Sequence, residues 1–511
     1  MALKWGRSNA VGYQNSNIGS AGTSRRPGPK EAPEAVRILA LESSTTSAKA
    51  VLYDSAAGTV ETSSRRFDFT PDDPAARDAD AAAAQVFELG RQRPDGGTVD
   101  LVTLCSTWHG VTLQSRDGHS LTPVYLWPYL GAEGVEAELR QDADFVRWFY
   151  GRTGCMVSAI YPALKLKMMV EQGVDTSAGI VMDDGSVMFQ RLTGQFATTA
   201  SLASGSGLLN THNVAWDDEI PGVMGLGKLQ MPQIVPSRTT APLTKEGAGW
   251  LGLPAGTPVM APGPDGGFNQ VGDGATKPGI MTFSMGTSGA LRVVASAPKI
   301  SQKMSTWCYR SPDGWLSGAA TNGCTNTVDW VRDTVMGGAD FKAIESQLRP
   351  GPVDVPTFLP FHFGERCPGW NAHRRGGFVG LEPQHDGLAL YQAVAQGVLF
   401  NLRQCFIELV ELNGQPDRIR LSGGVLSSPF WTQMAADIMG ADLDLSAQAN
   451  QSSVGAIRLG LTAFGLEEEG PGLSSAPVGV VHPNLGLADY YNERYEAYLA
   501  AYEQTNPSEP N

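Results

Sequence analysis

The sequence predicts an α/β protein built as two facing halves. Three observations carry that prediction. Strand-like apolar runs alternate with helix-period stretches along the chain. Two short hydroxyl-rich turns, each between two apolar runs, stand about half a chain apart. And 511 residues at 42% hydrophobic content suffice for two or three cores.

The chain starts with a polar stretch, Met1 to Ala35, rich in Ser, Asn, Gly and Pro and read as a disordered extension or the product of a misassigned start codon. Arg25-Arg26 is not followed by the apolar region that a twin-arginine signal needs. The first hairpin comes next. Ile38–Leu41 rises to Glu42, Ser43 to Ser47 turn, and Ala48–Tyr53 returns. Val99–Cys105 reads as a buried strand, Ala132–Phe149 and Ala163–Gln172 as helices, and Ala178–Met182 is ambiguous.

The Gly/Pro-rich segment APGPDGG then carries Asp265, and a boundary is expected at the Lys277-Pro278-Gly279 turn. That divides the chain into an extension (1–35), a first domain (36–277) and a second (278–511). The second hairpin is Ile280–Met285, a Gly286-Thr287-Ser288-Gly289 turn, and Ala290–Val294. Leu388–Leu412 has helical spacing, and Ile419–Leu421 enters Gly423-Gly424 as a strand. Tyr491, Tyr495, Tyr498 and Tyr502 form the packing face of a last helix.

A turn of Gly, Ser and Thr offers converging N–H and hydroxyl donors with little side chain in the way, which suits a phosphate. Turns are also where Gly, Ser and Thr ordinarily sit. What favours a nucleotide site is the pair of acids, Glu42 and Asp265, since Mg²⁺ keeps much of its water and takes one or two protein carboxylates. A formal charge of −14, with no basic stripe interleaved with aromatics, argues against a nucleic-acid surface. No apolar run reaches the length of a membrane span. Six scattered cysteines without CxxC spacing fit a reducing compartment, hence a cytoplasmic location. Gly222 to Gly227 has the wrong spacing for a dinucleotide fingerprint.

From Arg37 to Tyr502 these segments resemble the FGGY carbohydrate kinases, closest to their gluconokinase-like branch. ESSTTSAKAVLYD is similar to the family's first phosphate hairpin, PDGGFNQVGDGATKPG to the stretch bearing its catalytic aspartate, and MGTSGALRVV to its second hairpin. FGERCPGWNAHRRGGFVGL and SGGVLSSPFWTQMAADIMG match two further signatures, the latter on the adenosine side.

The resemblance implies a two-lobed, actin/hexokinase-like (ribonuclease H-like) fold with a central nucleotide and sugar cleft. It implies ATP and Mg²⁺, with Asp265 as general base and Glu42 with Asp265 as metal ligands. Ser44, Thr45, Thr46, Lys49, Gly286, Thr287, Ser288, Gly323, Gly423, Gly424 and Ser428 are then the nucleotide contacts. Lys49 reads equally as a solvated strand lysine. Trp108 and His109, with Asp265, are the sugar contacts; Tyr161 and Lys165 are weaker candidates, and Asn322 is placed with Gly323 near the nucleotide.

The implied partners are a small carbohydrate and ATP, with no nucleic acid or membrane, and a homodimer left open. A non-catalytic sugar sensor or an ATPase of the same fold is the alternative. Two departures stand out. Glu42 replaces the usual aspartate, and the family's Trp-x-Asp-x-Arg appears as Trp127-Pro128-Tyr129-Leu130-Gly131, both charges gone. Sugar acid, ketose and polyol therefore all stay open as substrates.

Overall fold

The computed structural model describes residues 35–68, 75–93, 95–447 and 450–505; the N-terminal extension read from the sequence lies outside them, apart from its last residue. Two seven-stranded sheets carry the fold, and they are wound alike. In the first, Arg37–Ser43 folds back antiparallel into Ser47–Asp54, which pairs with Thr59–Arg66. On its other side Arg37–Ser43 runs parallel to Leu101–Ser106, which is followed by Pro258–Met260.

The second sheet repeats the order. Ile280–Met285, Gly289–Ala295 and Trp315–Thr321 form the antiparallel run, and Arg418–Ser422 then Leu443–Leu445 extend it in parallel. Each hydroxyl-rich turn thus sits at the carboxyl end of its sheet's parallel strands. Ser43 stands beside Ser106, and Ser284 beside Ser422. That edge is where open α/β sheets take ligands.

The central strand of the first sheet forms where the sequence can bury both faces, whereas the edge strand Thr59–Arg66 has no buried residue. Ile38 to Ser43 are all buried, which needs the near-continuous apolar run that this segment supplies. The stretch 132–149, expected as one helix, is two: Glu133–Leu139 and Ala143–Thr153. The break is at Asp142, whose carboxylate accepts from the N–H groups of Asp144 and Phe145 and starts the second helix. Helix Gly387–Asn413 and the tyrosine stripe of helix Ala488–Gln504 stand as expected, with Tyr491, Tyr495, Tyr498 and Tyr502 all buried. Ile180–Met182, ambiguous by sequence, is a short strand. All six cysteines are buried and free. No described helix is long and apolar enough to cross a membrane.

One late helix crosses back to the first sheet. Gln451–Ala463 packs Val454, Ile457 and Leu461 into the same core as Ile38, Val51 and Leu101. It meets helix Asp265–Gly272 so closely that a Cβ on Gly455 would stand 1.9 Å from the Phe268 carbonyl oxygen, and one on Gly272 2.2 Å from that of Gln451. Two helices cross at that distance because both surfaces lack side chains there.

Candidate active site

A cleft of about 860 Å³ opens between the carboxyl edges of the two sheets, lined by Glu42, Ser44, Thr45 and Lys49 from one side and Met285 to Ser288 from the other. Asp265 and Gly423-Gly424 also line it. The structure therefore brings together most of the residues that the sequence singled out. Of the assigned site residues five do not line it: Thr46, Gly323 and Ser428 from the nucleotide side, and Trp108 and His109 from the sugar side. Ser428 is a helix cap instead, its Oγ accepting from the Trp431 N–H at 3.2 Å and donating to Glu345 at 2.5 Å. A Cβ on Gly323 would stand 2.6 Å from the Pro360 carbonyl oxygen, so packing accounts for that glycine.

The two turns differ in what their polar groups do. In the first, Ser44 Oγ donates to the Ser47 carbonyl at 2.7 Å and accepts from the Ser47 N–H at 3.0 Å. Buried Arg77 donates to the carbonyls of Ser44 and Thr45, and Trp127 Nε1 donates to Thr45 Oγ1 at 3.0 Å. In the second turn Thr287 and Ser288 are exposed, and among the described residues neither hydroxyl has a protein partner.

The glycines separate in the same way. Gly423 has φ 104°, and a Cβ there would stand 2.2 Å from the Met285 carbonyl oxygen, so the backbone itself demands glycine. At Gly286 and Gly424 a Cβ would meet nothing within 4 Å. The space beside those two belongs to the cleft.

Glu42 is buried, and both of its carboxylate oxygens are bonded within the protein. One oxygen accepts from Lys49 Nζ at 2.8 Å, and the other from Ser452 Oγ at 2.7 Å and Ser453 Oγ at 2.6 Å. Lys49 is thus an ion-pair partner; burial works against its charge, but Glu42 beside it raises its pKa overall. Asp265, half-buried at the first position of its helix, accepts from the Gly266 N–H at 2.7 Å. Burial pushes its pKa up and Glu42 adds to this, against the pull of the Gly266 N–H and Arg292. A Cβ on Gly266 would stand 2.5 Å from the Trp108 ring and 3.2 Å from an Arg292 nitrogen, so glycine after the acid lets both groups close around it.

On the sugar side, Trp108 and His109 are buried. Trp108 Nε1 donates to the Ser201 carbonyl at 2.9 Å, and its ring lies 5.1 Å from that of Tyr309. His109 sits in the left-handed region, φ 70°, uncommon for a residue with a side chain and frequent at functional sites. Its Nδ1 is 2.7 Å from the Gly205 carbonyl and so carries the proton, leaving the Nε2 lone pair toward Arg366 Nη2 at 3.4 Å. Burial, with Arg366 and Lys165 nearby, drives its pKa well below the usual histidine value, so the ring is neutral.

Lys165 spends its three N–H groups on the carbonyls of His109, Tyr125 and Leu126. It ties the sugar-side loop rather than facing a ligand. Tyr161 hydroxyl bonds that of Tyr309 at 2.8 Å. Asn322, expected near the nucleotide, instead lines an adjoining cavity of about 410 Å³ with Trp127, Arg366 and Trp370.

Comparison with known proteins decides what kind of molecule holds this cleft. Residues 37–272 match the N-terminal domain of the FGGY family of carbohydrate kinases, and 281–464 its C-terminal domain. The chain belongs to that family. It is a carbohydrate kinase, with ATP and a carbohydrate as its small-molecule partners.

This FGGY kinase is 28% identical to a gluconokinase of Bacillus licheniformis over 454 residues, 84% of this chain and 88% of that one. It is 27% identical to a xylulose kinase of Escherichia coli over 420 residues, 80% of this chain and 86% of that one. Among solved structures, a gluconate kinase from Lactobacillus acidophilus superposes with a TM-score of 0.85 at 25% identity, covering 92% of this chain and 98% of that one. A xylulose kinase from the same organism also gives 0.85 at 25% identity, with 92% and 99% covered.

Sequence reasoning passed over several residues of the kinase cleft. Ser452 and Ser453, which fill the Glu42 carboxylate, lie four hundred residues away and no local pattern marks them. Thr107 lines the cleft with a buried hydroxyl that has no protein partner among the described residues. Arg292 also lines it and did leave a signal: it is the one charged residue in the strand GALRVVA, just beyond the second turn.

Proposed function

We propose that this FGGY kinase moves the γ-phosphoryl group of ATP to a carbohydrate hydroxyl held against Asp265. One observation carries the assignment: Asp265 stands half-buried on the cleft wall between the two turns, with Gly266 leaving room for Trp108 and Arg292 around it. A base near the substrate hydroxyl must be ionised but not inert, and a pKa raised by burial suits that task. The bond formed joins the substrate oxygen to the γ-phosphorus. The bond broken joins that phosphorus to the bridging oxygen, which leaves with ADP, and the hydroxyl proton passes to Asp265.

The phosphates rest on Gly286, Thr287 and Ser288, whose two hydroxyls have no protein partner among the described residues while the Gly286 N–H closes the turn on the Ser288 carbonyl, and the nucleoside lies along the open face of Gly424. Thr45 and Lys49 bound the other wall. The residues present fit Mg²⁺ carried in on the nucleotide: Asp265 supplies a cleft-facing carboxylate, while both oxygens of Glu42 are already bonded, so Glu42 would hold the ion through water if at all. Bound there, Mg²⁺ neutralises phosphate charge. The division into 36–277 and 278–511 belongs to this reading, with helix Gln451–Ala463 returning across it to the first sheet.

The test is ADP release with ATP and Mg²⁺ across a panel of sugar acids, ketoses and polyols. Release that depends on one class of carbohydrate is expected. Fast ATP hydrolysis indifferent to every sugar would favour an ATPase of the same fold.

A further inference from the structure

Among the described residues two cations line the cleft, Lys49 and Arg292, and they stand in opposite states. Lys49 is spent on Glu42 at 2.8 Å. Arg292 uses one N–H group, donating from Nη1 to Ser284 Oγ at 3.1 Å, and its Nε is buried with no protein acceptor among the described residues. Two carboxylates, Asp265 and Asp273, act on its charge and Arg366 opposes them, yet among the described residues it pairs with neither. One oxygen of Asp273 accepts instead from Ser446 Oγ at 2.8 Å and Gln451 Nε2 at 2.7 Å. An arginine carries five N–H donors in a rigid fork, so most of the capacity of Arg292 is left over.

The fold fixes where that capacity lies. Arg292 stands on strand Gly289–Ala295, which returns from the second turn, and its bond to Ser284 carries the guanidinium back along the hairpin toward Gly286. On the other side Nη2 lies 3.2 Å from where a Cβ on Gly266 would stand, beside Asp265. The guanidinium therefore spans the gap between the second turn and the base. A phosphoryl group passing from ATP held at Thr287 and Ser288 to a hydroxyl held at Asp265 must cross that gap.

We propose that Arg292 is a catalytic residue of the transfer, its free N–H groups donating to the equatorial oxygens of the phosphoryl group as it moves from ADP to the carbohydrate oxygen. This rests on the reading of Asp265 and of the second turn given above. Charge is spread over those three oxygens in the transition state, and a planar cation already in place meets them with parallel donors. The arginine gives up no proton, and the hydroxyl proton still passes to Asp265. Lys49 is not free for this task, because Glu42 already answers its charge.

The test separates turnover from binding in Arg292→Gln and Arg292→Lys, with ATP, Mg²⁺ and the carbohydrate that the wild type uses best. In the glutamine variant kcat should fall by about 10²- to 10³-fold while KM for ATP and for the carbohydrate each stay within about 3-fold, and lysine should recover part of the loss. A second readout needs no turnover: aluminium fluoride added with ADP and Mg²⁺, as a mimic of the phosphoryl group in flight. It should tighten ADP binding to the wild type, and that gain should shrink by about 10²-fold in Arg292→Gln.

A raised KM for the carbohydrate with kcat little changed would make Arg292 a substrate-binding residue and overturn the proposal, as would a rise confined to KM for ATP. Arg292 lowers the pKa of Asp265, so a residue acting only through that acid would, when lost, move the acid limb of kcat/KM to higher pH and leave the aluminium fluoride gain intact. That result also overturns the proposal. So does loss of the folded state in both variants, which would make Arg292 structural. Failure of the kinase reading looks different: ATP hydrolysis indifferent to every carbohydrate, with the aluminium fluoride gain lost in Arg292→Gln, would keep Arg292 on the transferred group and overturn only the carbohydrate acceptor. No turnover and no aluminium fluoride gain in the wild type would overturn both.

Discussion

The two sheets have the same strand order and carry their turns in the same place, yet the turns are used differently. The first is filled by its own protein: Ser44 bonds Ser47, Arg77 holds two carbonyls, and Trp127 takes the Thr45 hydroxyl. The second presents Thr287 and Ser288 bare to the cleft. A repeated backbone thus fixes where donors stand, and the neighbouring side chains decide whether those donors are available. By that logic the second turn grips phosphate, while the first holds the shape of its wall.

The largest effect that bears on this contrast concerns the adjacent glycines. Gly423→Ala should cost about 2 to 4 kcal/mol of stability, because a strained φ and a backbone clash coincide there. Gly424→Ala should leave stability within about 0.5 kcal/mol yet weaken nucleotide binding, since its Cβ would enter empty cleft. Urea unfolding and nucleotide titration on both variants separate the two, and equal losses of stability would erase the distinction.

The turns themselves come next. Thr287→Val should weaken ATP binding by about 1 to 3 kcal/mol through a lost donor to charged oxygen. Thr45→Val should change it by less than about 0.5 kcal/mol and instead cost roughly 1 kcal/mol of stability, its hydroxyl being bonded to Trp127 already. Calorimetric titration of the pair checks this, and a larger binding loss at Thr45 would reverse the assignment of the turns.

The smallest expected effect is on pH dependence. Burial and Glu42 raise the Asp265 pKa, so the acid takes up a proton at a higher pH than an ordinary aspartate and the base is lost sooner as pH falls. The acid limb of kcat/KM should lie above the usual aspartate value of about 3.9. A limb at or below it would mean that Asp265 is not the group titrating.

Much of this arrangement was legible in the sequence. Both hairpins, Asp265 and Gly423-Gly424 were visible because each is a local pattern, an apolar run ending in small or hydroxylated residues. What stayed hidden was long-range. Nothing near Glu42 says that Ser452 and Ser453 fill its carboxylate, nor does anything near Ser44 say that Arg77 and Trp127 occupy its turn. Ser428 and Gly323 were read as nucleotide contacts from their signatures, while the structure uses one as a helix cap and the other for packing against Pro360. The helix break at Asp142 was missed because the apolar period continues across it.

The central claim, that this cleft passes a phosphoryl group from ATP to a carbohydrate hydroxyl with Asp265 taking the proton, is tested most directly by Asp265→Asn. Phosphorylated product and ATP affinity should be measured on the same protein with the best substrate. The account predicts turnover lowered by about 10²-fold or more with ATP affinity nearly unchanged, as expected for a lost general base. Turnover close to that of the wild type would contradict it.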